Sequence, residues 1–91
     1  MADKLGIYVH TTNLEANVIK SIKLEKYNSI IIVEDSTYGS VSVLSKRYMT
    51  LEQISLNLPT GSLMEFSVSS DELTLNITYS NRSGVLRIIE L

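Results

Sequence analysis

The chain has 91 residues, of which 44% are hydrophobic, and a formal net charge of -2 at pH 7. This length suits a single domain over residues 1–91, near the low end of what buries an adequate core unaided. The absence of cysteine excludes disulfides and thiolate metal sites, and a lone His10 cannot form an imidazole cluster, so we predict no metal and no cofactor. The acidic balance excludes a generally basic nucleic-acid coat. No apolar run approaches the roughly 20 residues of a membrane span, which predicts a cytoplasmic protein with no membrane partner.

The first part of the chain, residues 5–38, is predicted to be rich in β-structure. Alternation over 5–11 indicates a strand whose buried face holds Leu5, Ile7 and Val9. Residues 13–27 fit two structures, because Asn13 could cap a helix while 18–24 also has the composition of a strand. The most apolar run, 30–33, predicts a strand with both faces covered, followed by a turn over 34–39.

Residues 39–91 predict a strand, a helix and a three-stranded meander. The helix is predicted over about 45–58, where Pro59-Thr60-Gly61 provides a stop signal. At about 100° per residue it places Leu51, Ile54 and Leu58 on its buried side. Alternating runs at 63–68, 73–79 and 85–91, separated by turn residues, predict antiparallel hairpins. The predicted fold class is therefore α+β: one domain, rich in antiparallel strands, with one main helix packed on a sheet.

The motifs of enzyme active sites are missing from the sequence. A nucleophilic Ser or Thr needs a base, and His10 is placed within a predicted strand without an acid nearby in sequence. The acid pairs at 34–35 and 71–72 lie in predicted turns, where carboxylates are ordinarily solvated. The four glycines are scattered, so no phosphate-binding loop is present. We predict no catalytic residues and a function other than catalysis.

Three segments resemble bacterial-type DNA sliding clamps, the family of the DNA polymerase III beta subunit. They are Gly39-Ser40-Val41-Ser42-Val43-Leu44-Ser45-Lys46-Arg47, then Leu56-Asn57-Leu58-Pro59-Thr60-Gly61, and then Glu65-Phe66-Ser67-Val68-Ser69-Ser70-Asp71-Glu72-Leu73-Thr74-Leu75. Upstream, residues 4–15 are similar to the family's strand that ends in Ala-Thr-Asp-Leu-Glu. The likeness covers most of the chain and corresponds to about three quarters of one clamp domain, without the opening strand and helix of its first motif.

The resemblance implies a sliding-clamp-like protein of DNA replication or repair, acting as a processivity element or a clamp-interacting regulator. The helix face that lines the ring in that family would correspond here to Lys46, Thr50, Gln53 and Asn57, with Arg47 beside them. Such contacts are electrostatic and without sequence preference, so the expected ligand is duplex DNA. The expected protein partners are further copies in a homo-oligomer, or another clamp or polymerase subunit.

Two other interpretations compete with the clamp. The chain could be a small protein-binding inhibitor or adaptor, for example from a phage or mobile element, without a DNA role. It could also be an inactive phosphocarrier-like domain, since Lys26-Tyr27 followed by Ser45 is loosely similar to the histidine phosphocarrier family. In that case Asn13 would occupy the position of the phosphorylated histidine. A polar helix face that is simply solvated remains an alternative to the DNA contacts.

Overall fold

The computed structural model describes residues 4–58 and 61–91, and these form a sandwich of two antiparallel sheets. The eight strands are β1 (Tyr8–Leu14), β2 (Lys20–Lys23), β3 (Asn28–Asp35), β4 (Ser40–Arg47), β5 (Thr50–Ser55), β6 (Leu63–Val68), β7 (Thr74–Ser80) and β8 (Gly84–Glu90). Sheet A has the order β1-β8-β3-β4-β5, and sheet B has the order β2-β7-β6. No helix in these ranges is long and apolar enough to cross a membrane.

The core lies between the two sheets and is filled from both. Each sheet contributes the side chains on one face of its strands, because successive side chains of a strand point to opposite faces of the sheet. The buried apolar residues are Leu14, Ile22, Leu24, Ile31, Val33, Leu44, Met64, Leu75, Ile77, Tyr79, Leu86 and Ile88. Leu51, Leu58 and Phe66 pack against this cluster from its margin.

The predicted α+β class is wrong, since the described residues are all-β and contain no helix. Residues 45–58 instead hold the end of β4, a tight turn at Tyr48-Met49, and β5. The turn requires a positive φ at Tyr48, 51°, and is stabilised by the N–H of Tyr48, which donates to the carbonyl of Tyr27 at 3.0 Å. β4 pairs with a strand on each side and β5 pairs with β4 along one edge, so tertiary structure overrides the helical spacing of a few leucines. Of the predicted stop signal, Pro59 and Thr60 lie outside the described residues.

The three C-terminal runs are strands, but they do not form the predicted meander. β6 pairs with β7 as expected, whereas β8 crosses to sheet A and pairs with both β1 and β3. The last strand therefore ties the two sheets together, and its pairing with β1 joins residues almost a whole chain apart. Turn residues in the sequence indicate which consecutive strands are joined by hairpins, but they do not indicate pairing between strands far apart in the chain.

The N-terminal strand is shifted and turned over relative to the prediction. β1 begins at Tyr8, and its inward side chains include His10 and Leu14, while Val9 points outward and is 54% exposed. Segment 13–27, for which the sequence fitted either a helix or a strand, contains a strand, β2, rather than a helix. The apolar run at 30–33 lies in β3 as expected, but only Ile31 and Val33 of that run are buried in the core.

A candidate protein-interaction face

The outer face of sheet A carries an apolar row, which is exposed at Val9 and partly buried at Ile89, Ile32 and Val43. Register pairs Val9 with Ile89, Ile89 with Ile32, and Ile32 with Val43, so four strands contribute one aliphatic side chain each. Every one of these residues lies on the side of its strand opposite the core, as the alternating burial of β1, β3, β4 and β8 shows. We call these four residues the apolar row.

Further aliphatic side chains extend the apolar row on both sides. Toward one end lie Ile30 and Leu91, which are 38% and 45% exposed, and the N–H of Leu91 donates to the carbonyl of Ile30 at 3.0 Å. Toward the other end lies Val41, 41% exposed and paired with Glu34. Scattered exposed aliphatics are normal on proteins, but a contiguous group of this kind marks an interaction surface.

Two opposite charges border the apolar row. Arg87 of β8 pairs in register with Glu34 of β3, and its Nε lies 3.7 Å from Oε1 of that glutamate. Both side chains remain partly exposed, at 51% and 35%. An ion pair this exposed contributes little to stability.

The outer face of sheet B is polar at its centre, although Leu63 and Ile19 are exposed at its margins. Its central row is Ser21, Asn76 and Ser67, and the hydroxyl of Ser21 donates to Oδ1 of Asn76 at 2.7 Å. The amide nitrogen of Asn76 donates in turn to Ser69 Oγ at 3.0 Å. Antiparallel sheets facing water normally look like this, with apolar residues inward and polar residues outward. The centre of the outer face is thus polar on sheet B and aliphatic on sheet A.

The five residues predicted to contact DNA do not form one surface. Lys46 is only 1% exposed, and its amino group donates to the carbonyls of Tyr27 and Glu72 at 2.6 Å each and of Lys26 at 3.4 Å. Its neighbour Arg47 points to the opposite, outer face and pairs with Thr50 across the β4–β5 turn.

The other two lie farther along the chain. Gln53 is exposed on β5 opposite Leu44, and Asn57 lies beyond the end of β5, where its N–H donates to Ser42 Oγ at 3.3 Å. The helical stripe that would have grouped these five residues does not exist, because they are distributed along two strands and a following loop.

Lys46 is one of several buried polar side chains that hydrogen-bond to backbone groups of other segments. The carboxylate of Glu90, fully buried, accepts the N–H groups of Glu25 and Lys26 at 2.9–3.0 Å and also contacts His10 Nε2 at 2.6 Å. Asp35 accepts the N–H of Thr37 at 3.0 Å and the hydroxyl of Tyr79 at 2.8 Å. A pattern in the sequence could have suggested these roles only for Asp35, whose position before a turn is typical of side chains that accept turn N–H groups.

The titratable groups therefore act mainly within the fold. Burial, and secondarily the hydrogen bond to Asp35, raises the pKa of Tyr79 to about 12. The pKa of Asp71 is well below its usual range because its carboxylate accepts hydrogen bonds from Lys23, Thr74 and Leu73. Among residues 4–58 and 61–91, no group of three or more His, Cys, Asp or Glu side chains has the geometry to hold a metal ion.

Comparison of the chain with protein-family models, with curated proteins and with solved structures finds no match.

Proposed function

We propose that this protein is a small protein-binding module that acts by docking the outer face of sheet A against a protein partner. This is the adaptor or inhibitor interpretation of the sequence, now with a defined surface. The observation that supports it is the difference between the two outer faces: Val9, Ile89, Ile32 and Val43 occupy the central row of sheet A, where sheet B has hydrogen-bonded serine and asparagine. Apolar atoms in such a row gain free energy when a partner removes them from water.

The face has the features of a binding site rather than of an incomplete core. Its centre is aliphatic, its border contains the Arg87–Glu34 pair, and beyond β4 it meets the polar Glu52 and Ser55 of β5. An apolar centre surrounded by a polar rim is the usual anatomy of a protein interface. The proposal places the protein in the cytoplasm, which the lack of cysteine favours.

The sliding-clamp role remains a prediction of the resemblance. Its fold is not the one that the resemblance implies, and Lys46 donates its hydrogen bonds within the protein instead of presenting them to phosphates. Arg47, Thr50, Gln53 and Asn57 remain exposed, and a salt titration with duplex DNA would test them. The docking face depends on none of these residues.

Affinity capture with matched variants tests the proposed function. Immobilised wild-type protein, an Ile32→Lys variant and a Thr78→Lys variant would be exposed to the same cell extract. Thr78 lies on the outer face of sheet B, so its replacement adds the same charge at an equivalent depth on the polar face. We expect a partner that the wild type and Thr78→Lys retain and that Ile32→Lys loses. Equal retention of every captured protein by both variants would contradict the proposal.

A further inference from the structure

We propose that the partner on the outer face of sheet A is a second copy of this chain, packed face to face about a two-fold axis that runs parallel to the strands between β8 and β3. This inference rests on the proposed function, since it names the occupant of the same face. Four strands, β1, β8, β3 and β4, contribute to the apolar row, and the boundary between β8 and β3 is their centre.

On the outer face of sheet A, residues paired across neighbouring strands form parallel rows, and these rows decide the direction of the axis. A two-fold axis along the strands places each row against the same row of the partner, so aliphatic residues meet aliphatic residues. An axis across the strands would instead turn the row of Arg87 and Glu34 onto Ile30 and Leu91, leaving charges against aliphatic side chains without partners. Two sheets stacked face to face keep their strands within about 30° of one another, which preserves this matching near the centre.

The position of the axis follows from complementarity within the rows. With the axis between β8 and β3, Ile89 of one copy faces Ile32 of the other, and Val9 faces Val43, reciprocally. In the bordering row the same operation brings Arg87 opposite Glu34 of the second copy. The patch is thus complementary to itself in side-chain type and in charge, as an isologous interface requires.

The size of the face suits a weak dimer. A fourth row on this face holds Asn13 and Val85. Four strands about 4.8 Å apart and four rows about 6.7 Å apart cover on the order of 500 Å² per copy, or about 1,000 Å² in total. Specific interfaces begin near this value, and permanent ones are larger. We therefore expect weak, reversible association, with a dissociation constant on the order of micromolar or higher.

The sequence supplies an independent argument for this occupant. Ile30, Ile31, Ile32 and Val33 form an uninterrupted apolar run of the kind found in strands that are covered on both faces. In one copy only Ile31 and Val33 are buried. A second copy would cover Ile30 and Ile32 with the matching side chains of its own β8, and the run would then have the environment that its composition predicts.

Sedimentation velocity from 1 μM to 1 mM tests the dimer. We expect a reversible shift from monomer to dimer for the wild type and for Thr78→Lys. Ile32→Lys should raise the dissociation constant at least about 100-fold, because each dimer contains the lysine twice against aliphatic partners. A wild type that remains monomeric at 1 mM would overturn the dimer. If the wild type stays monomeric but Ile32→Lys abolishes capture of another protein, the proposed function stands and only the dimer fails. If Ile32→Lys also leaves capture unchanged, the dimer and the proposed function both fail.

Cysteine cross-linking gives a second readout that does not depend on how well the lysine variant folds. Val9 and Val43 are three strands apart in one copy, about 14 Å, which is beyond the reach of a disulfide. The double variant Val9→Cys with Val43→Cys should form a covalent dimer with a thiol-reactive cross-linker about 8 Å long, which spans two sheets stacked about 10 Å apart but not the separation of about 14 Å within one copy. The native chain has no cysteine to compete. A Thr78→Cys variant serves as the control for random collision. Cross-linking no faster than in this control would contradict the assigned axis.

Discussion

Replacing Lys46 by Met should destabilise the fold substantially, although both side chains have a similar apolar stem. The amino group of Lys46 joins three backbone carbonyls, those of Lys26 and Tyr27 before β3 and that of Glu72 between β6 and β7. Because Lys46 belongs to sheet A and Glu72 to the turn of sheet B, these bonds link the two layers. Methionine fills the space but has no donor, so each carbonyl loses its hydrogen bond from the amino group, and that of Tyr27 keeps the N–H of Tyr48.

The magnitude follows from two opposing contributions. Hydrogen bonds to a charged group are worth about 1.5–3 kcal/mol each, and an unsatisfied buried carbonyl costs about 1–3 kcal/mol. Against this, removing a buried charge relieves a desolvation cost of several kcal/mol. We expect a net loss of about 2–4 kcal/mol from the free energy of unfolding, a large share of the stability of a small domain.

Urea unfolding followed by circular dichroism measures this loss, with Lys20→Met as the matched control. Lys20 is exposed on β2, so the same chemical change there should alter stability by less than about 0.5 kcal/mol. The denaturant slope should be equal in the two variants, since the surface exposed on unfolding is unchanged. A Lys46→Met protein as stable as the control, or more stable, would refute the idea that the hydrogen bonds of this amino group stabilise the contact between the two sheets.

Two further perturbations test the interior near the turn after β3. Tyr79, whose hydroxyl donates to Asp35, has a pKa raised to about 12 from an ordinary value of 10.0. The folded state holds this proton more tightly, so stability is fully present below pH 10 and decreases by on the order of 2–3 kcal/mol as the pH rises to about 12. Urea melts at pH 9 and 11 should show a steeper decrease for the wild type than for Tyr79→Phe; parallel decreases would contradict this assignment. Gly84→Ala should cost about 1–3 kcal/mol, because a Cβ there would lie 2.6 Å from Thr37 Oγ1. A Ser83→Ala control should change the thermal midpoint little, and an equal effect of both substitutions would exclude the steric explanation.

The sequence predicted the positions of strands better than their partners. Alternating runs bounded by turn residues located β6 and β7, and the apolar run located β3, because period and turn chemistry are local properties. The pairing of β8 between β1 and β3 could not be predicted in this way. It depends on which strand edges meet after residues far apart in the chain come together.

The predicted helix failed for a related reason. Leu51, Ile54 and Leu58 are spaced as on one helical face, yet Leu51 and Leu58 pack at the margin of the core and Ile54 is 56% exposed beside a bulge. Lys46 and Arg47, treated as neighbours on one polar surface, point to opposite faces of β4. A short segment with mixed apolar spacing fits both periods, and the pairing of β4 with β3 decides between them.

The docking face was visible in the sequence only in part. The run at 30–33 indicated a strand covered on both faces, and the structure shows that the described chain covers one of them. Val9, Val43 and Ile89 come from three other strands, so the apolar row exists only once the register of sheet A is known.

Methyl NMR spectra recorded over a range of protein concentrations test most directly whether the outer face of sheet A binds a second copy of the chain. Isoleucine and valine methyl groups report on Val9, Ile32, Val43 and Ile89 individually, and the threonine methyl of Thr78 reports on sheet B. From micromolar to millimolar protein, we expect the four resonances of the apolar row to shift together along one binding curve, while that of Thr78 stays in place. Unchanged apolar-row resonances at millimolar protein, or shifts centred on sheet B, would contradict the assignment.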